Sequence, residues 1–283
     1  MKPINHIIII ATAMICSVAM NAKSPAAPRA ELQVSYKYHE KFLRGNTQFT
    51  ERDIPMLLLV NSTQSKFFSP ATEYKDSLQS TPSGRAKEKE IFDIAIRKYA
   101  ESKDESAMDA VTYKIFMYIF KDYGKESVTV YDKAGMSDRG VYSEPFSELA
   151  WAIGDSTKIV LGYECFMATA DYHGRRWTAW FAPEIPVQDG PWKLRGLPGL
   201  ILEAYEPKGH HHFTADGIEQ TDRPIYPIYD KYKYDRMKRT DMLKSLRNDR
   251  DNSNSMIKAS IGLDLGDDAP AQTEYDYLET DYR

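Results

Sequence analysis

The chain has 283 residues and a formal net charge of −4, from 37 Lys and Arg against 41 Asp and Glu. Such a balance excludes the strong positive field that non-specific nucleic-acid binding requires. A chain of this length buries enough surface to stand on its core alone, without disulfide staples. The first segment reads as an export signal. Lys2 supplies the positive charge, residues 7–19 form an apolar run, and Ala22 is a small residue at a cleavage point. The run is shorter than the roughly 20 apolar residues that span a bilayer. Cys16 lies inside it behind Ile15, not behind the small residue that lipid attachment wants, so lipidation is not expected. Cleavage near Ala22 leaves Cys165 as the one remaining thiol and no disulfide. The expected mature chain has no transmembrane segment and sits in the periplasm or outside the cell.

Residues 23–30, rich in Pro and Ala, read as a linker, and a single domain is expected over 31–260. Leu32, Val34, Tyr36 and Tyr38 alternate with polar residues, the pattern of a half-buried strand. Residues 56–60 and 66–68 flank NSTQS, a hairpin by its turn formers. A helical insertion follows over about 84–108, where Ile91, Ile94, Ala95 and Tyr99 share a face. Strand patterning resumes at 111–119, at 128–130, and at 149–153, where GDST reads as the closing turn. Residues 163–169 and 177–181 answer each other across His173-Gly174, and 200–204 and 213–215 complete the series. A second helix is expected over about 235–248, in a basic stretch, before an acidic tail at 261–283. Short turns between successive strands imply an antiparallel meander. The fold class is α+β: one large curved antiparallel sheet with helices on one face.

The stretch from Leu161 to Tyr205, LGYECFMATADYHGRRWTAWFAPEIPVQDGPWKLRGLPGLILEAY, resembles the signature of the GLPGLI family of bacterial envelope proteins. The hexapeptide itself stands at residues 196–201, and the likeness runs through about 110–220. The resemblance implies export in a Bacteroidetes-type bacterium and no established activity. It also suggests, by analogy of fold alone, a LolA-like half-barrel that holds an apolar ligand. Physically, the sequence Leu197-Pro198-Gly199-Leu200 suits a type II turn, with proline at the second position and glycine at the third. Turn formers and leucines carry no acid, base or nucleophile, so the hexapeptide reads as a corner feeding a buried strand.

Chemistry-bearing candidates lie nearby. His210 and His212 fall on one face of a strand and could share a metal if His39, His173, Cys165 or Glu203 supplied a further ligand. The competing reading is histidines exposed at a strand start. Cys165 could be a nucleophile with His173 as base, but it sits within an alternating strand, where an inert buried thiol is usual. No catalytic group and no cofactor are implied. Trp180 and Trp192, with the corner of Leu197, Pro198 and Gly199, are the candidate lining of an apolar pocket. The expected function is therefore a non-enzymatic envelope binding or carrier protein for a lipid, acyl chain or apolar peptide. A metal-binding role for the histidine cluster, or an accessory role beside an outer-membrane transporter, is the alternative.

Overall fold

The computed structural model describes residues 27–44, 48–108, 111, 115–135, 138–146, 149–225, 228–229, 234–251, 273–274 and 276–282. Outside them lie the expected export segment with Cys16, residues 23–26 of the expected linker, 112–114 of the strand expected at 111–119, and 261–272 of the acidic tail.

Two long strands, β1 (Leu32–Arg44) and β2 (Gln48–Val60), pair antiparallel throughout, with Leu32 opposite Val60 and Arg44 opposite Gln48. The alternation read from the sequence sets their faces. Val34, Tyr36 and Tyr38 stand opposite Leu58, Met56 and Ile54, and all six are buried. β3 (Gln64–Phe68) follows a tight turn in which the Asn61 side-chain oxygen accepts from the amides of Thr63 and Gln64, at 2.9 and 3.0 Å. Next come α1 (Pro70–Gln79), capped by Ser69 with proline in its first turn, and α2 (Pro82–Ser102), capped by Thr81. α2 and a 3-10 turn at Glu105–Met108 account for the expected helical insertion. Apolar periodicity does not announce α1, because the residues it buries are Thr72, Lys75 and Asp76.

β4 (Tyr118–Asp122), β5 (Ser127–Lys133) and β6 (Arg139–Pro145) extend the meander from β3. A second meander, β7 (Ala152–Val160), β8 (Tyr163–Tyr172), β9 (Arg175–Ala182), β10 (Leu200–Tyr205) and β11 (His211–Gln220), returns to pair with β1. GDST is not a turn. It lies inside β7, where the register against β8 slips between Ile153 and Thr157 and a bulge takes up the extra backbone. β12 (Asp235–Arg236) lies parallel to β6, and α3 (Arg239–Asp251) therefore begins later than the charge pattern suggests. β13 (Thr273–Glu274) pairs with the end of β1.

The strand order is β12-β6-β5-β4-β3-β2-β1-β11-β10-β9-β8-β7, with β13 off this path. β7 and β12 end it without meeting, so the sheet is open and, apart from β12, antiparallel. One face carries the main core, which runs from Val128 and Val130 through Tyr36 and Phe67 to Trp177 and Phe213. The other face carries a small cluster of Leu59, Phe68, Tyr118 and Ile225. The helices divide between these faces. α1 binds the second through Glu73 to Lys66 and Asp76 to the Tyr118 hydroxyl, while α3 sends Met242 into the main core.

Candidate functional site

Residues 183–199 join β9 to β10, and instead of looping into solvent they fold inward over the core face. Backbone bonds hold the path: Leu200 donates to the Ile185 carbonyl at 3.0 Å, Gly196 to Gln188 at 3.0 Å, and Ile201 to Asp189 at 3.0 Å. Leu194 donates to Pro191 at 3.1 Å, closing a turn that holds Trp192 at φ 53°, a conformation rare for a bulky residue. The expected type II turn at Leu197 is corrected by the backbone. Gly199 donates to the Leu197 carbonyl at 2.8 Å, so the chain reverses over three residues about Pro198. Glycine is required at 199 because a Cβ there would run into the carbonyl of Ala182.

Charged residues fix the loop from inside. Asp189 is fully buried and accepts from the Lys121 ammonium, from the Tyr123 hydroxyl at 2.5 Å and from the Gly190 amide at 2.6 Å. Lys121, itself buried, also donates to the Gly190 carbonyl at 2.9 Å. Burial and the Asp189 charge hold the Tyr123 phenol far above its ordinary range, so it remains a donor. Lys193 is buried between the carboxylates of Glu144 and Glu279, at 2.6 and 2.7 Å. The Arg195 guanidinium lies 3.8 Å from the centre of the Phe146 ring, and its carbonyl accepts from the Trp151 indole at 2.9 Å.

Beside this loop opens a cleft of about 780 Å³, within the range of small-molecule sites. Leu32, Val60, Tyr123, Phe146, Leu149, Pro186 and Val187 give it apolar walls; Arg195, Gly196 and Gln188 join it from the loop, and Glu31 and Glu126 add charge. The residues expected around a ligand sit elsewhere. Trp192 and Leu197 are core residues at 1 % exposure, with the Trp192 ring tilted against Trp177 at 5.4 Å and edge-on to Tyr172 at 5.6 Å. Gly199 is buried beneath the Ala182 carbonyl and Pro198 is exposed. Trp180 lies under the Lys158 ammonium, 4.4 Å from ring centre to nitrogen, on the face opposite Trp177. The cleft is lined by none of these five.

The three histidines separate. His210 meets Asp276 at 2.8 Å, whereas His212 meets Glu203 at 2.9 Å. His211 turns inward, 2.7 Å from the Tyr38 hydroxyl, where burial and the Arg175 charge push its pKa down to about 3 and keep it neutral. Among the described residues, the His and carboxylate group close enough to share an ion is His173, Glu279 and Asp281. Arg239 already binds both of those acids, at 2.6 Å to Glu279, and Lys193 holds Glu279 from the other side. Two fixed cations oppose a metal there. Cys165 is buried, and burial pushes its thiol up to about 11, so it is protonated at neutral pH. His173 stands at the far end of β8, roughly 25 Å along the strand.

Fold and site together define an open α+β sheet whose core face is closed by an inward loop, with an apolar cleft at that loop's edge. Residues 171–203, the end of β8 through β10, match the family described as "Protein of unknown function (Porph_ging)". Among solved structures the chain is similar to that of PNGF-II in the P21 space group, with a TM-score of 0.50 and 10 % identity over 78 % of this chain and 34 % of that one. PNGF-II in the C2 space group gives a TM-score of 0.48 and 11 % identity over 78 % and 33 %. The chain spans about a third of the length of these solved chains, and the likeness to the first is one of fold. No curated protein matches it. Among the described residues no helix is long and apolar enough to cross a membrane.

Proposed function

We propose that the chain is an exported, non-enzymatic binding protein of the bacterial envelope, of the GLPGLI kind, that holds an apolar ligand in the cleft beside residues 185–196. The export segment at residues 1–22 and the family match over residues 171–203 support the setting. The observation that carries the reading is the cleft itself: about 780 Å³, with apolar side chains for half of its lining, next to a loop whose path is fixed by buried charges. A pre-formed wall lowers the ordering cost of binding. Trp192 and Leu197 then serve from behind, as the packed support of that wall.

A lipid, acyl chain or apolar peptide is the ligand class. About ten methylenes buried at ~0.8 kcal/mol each give roughly 8 kcal/mol, micromolar affinity before ordering costs. Titration with fatty acids, lysolipids and apolar peptides, followed by intrinsic fluorescence, should saturate in that range. Val187→Glu and Leu149→Glu, changes in half-buried cleft residues, should weaken the response at least tenfold at an unchanged melting temperature. No saturable response to any of the three ligand classes would remove the reading.

A further inference from the structure

Residues 276–282, with the sequence DYLETDY, lie as a strap across the β8–β9 turn, bent at Leu278 and turning at Asp281 and Tyr282. The strap is gripped side chain by side chain. The Arg175 guanidinium donates to the Leu278 carbonyl at 3.1 Å and to the Asp276 carboxylate at 2.5 Å, and His210 takes the other Asp276 oxygen at 2.8 Å. Arg239 and Lys193 share Glu279, at 2.6 and 2.7 Å, and Arg239 and His173 share Asp281. The Thr280 amide donates to the His173 carbonyl at 2.9 Å, and its hydroxyl to the Gly174 carbonyl at 2.9 Å. Gly174 completes the fit, because a Cβ there would come within 2.9 Å of the Asp281 nitrogen and closer still to the Thr280 hydroxyl.

These contacts come from five separate parts of the fold: the β8–β9 turn, β9, the 183–199 loop, the entry to β11 and α3. Together they read an acidic side chain at the first, fourth and sixth positions of the segment, with backbone bonds between. The groove brings its own acids too, Glu144 against Lys193 and Arg239, and Glu206 against Arg175 at 3.9 Å. Three permanent cations, Arg175, Lys193 and Arg239, therefore face two groove carboxylates, and the strap's three carboxylates are drawn to that positive cluster.

We propose that this groove is a binding site for an acidic peptide, filled in cis by residues 276–282 and opened when that segment lets go. The hold is one that can be released. Ion pairs supply much of it, and their net contribution is small because each charge gives up hydration. Ladder pairing between β13 and β1 involves two residue pairs. The strap is thus a local unit that opens below the global unfolding free energy. The site is distinct from the apolar cleft, and neither reading depends on the other.

Hydrogen exchange on the full chain tests the release. Raising salt from about 0.05 to about 1 M shortens the screening length to roughly 3 Å. Protection of the Thr280 amide should then fall about tenfold, with the β8–β9 ladder amides unchanged. Exchange of Thr280 only together with that ladder would overturn the proposal. The second arm tests recognition with the labelled peptide DYLETDY. A Glu279→Gln/Asp281→Asn full-length variant, shown folded by its circular dichroism, should bind the peptide at least tenfold more tightly than the wild type does. A peptide carrying Gln and Asn at those two positions should fail to bind. Equal binding of the two peptides, or none by either, would overturn the acidic-peptide assignment.

Discussion

At the scale of the residue, the charged side chains of the 183–199 loop decide how it folds. Asp189 looks like a turn residue in DGPW, yet its carboxylate is buried against Lys121, Tyr123 and the Gly190 amide. Removing one partner of such a pair costs more than the pair contributes, because the other charge stays buried. Asp189→Asn should therefore destabilise the protein by about 3–5 kcal/mol in urea unfolding, and Lys121→Met by a similar amount. The Asp189→Asn/Lys121→Met double variant should lose less than the sum of the two, reporting their coupling. An Asp189→Asn variant within about 0.5 kcal/mol of wild type would mean that the pair does not organise the loop. None of this could be seen along the sequence. Lys121, Glu144 and Glu279 stand far from Asp189 and Lys193, and isolated charges in a Gly/Pro-rich stretch read as solvated. Nor does the sequence show that the Trp192 ring packs into the core against Trp177.

Among elements, the hairpins were legible because turn chemistry and alternation agree. NSTQS turns through the Asn61 side chain, and His173-Gly174 is a two-residue turn with φ 51° and 79°, the pairing that suits a right-twisted hairpin. α1 stayed hidden because its buried side is polar, and the start of α3 was displaced by the two-residue β12. The ion pairs that tie the strap and the loop together make these elements sensitive to acid. Burial alone would raise the Glu144 pKa, but the His173 hydrogen bond and the Lys193 charge outweigh it and set it at about 2. Burial likewise opposes Asp276, and the bond and charge of Arg175, with the His210 bond, hold it at about 2. Both folded-state values lie below the ordinary carboxylate range of about 4. Their stabilisation is thus complete above that range and lost as pH falls through it toward 2. Urea midpoints measured from pH 6 to pH 2 should fall steeply below about pH 4. Glu144→Gln should lower the midpoint at pH 6 and flatten the fall. A variant with the wild-type slope would place the acid sensitivity elsewhere.

Across the whole molecule, the two meanders are not separate bodies. The first runs from β1 to β6 and the second from β7 to β11, and the long β1–β11 ladder joins them edge to edge. Their side chains meet on one face: Phe67 of β3 lies 6.0 Å from Phe213 of β11, which stacks 4.5 Å from Tyr38 of β1. A core shared in this way makes the halves lose stability together. The sequence supplies a convenient reporter, since its four tryptophans, Trp151, Trp177, Trp180 and Trp192, all belong to the second half. Phe67→Ala empties a fully buried site in the first half, at an expected cost of about 3–5 kcal/mol. For a chain of this size each kcal/mol moves the midpoint by about 2–4 °C, so tryptophan fluorescence should report a fall of roughly 6–20 °C. Far-UV circular dichroism, which follows all the strands, should show the same midpoint as fluorescence before and after the change. If the tryptophan transition kept its wild-type midpoint while the dichroism lost amplitude at a lower temperature, the meanders would be independent folding units. The β1–β11 ladder would then be a docking contact instead of the centre of one sheet.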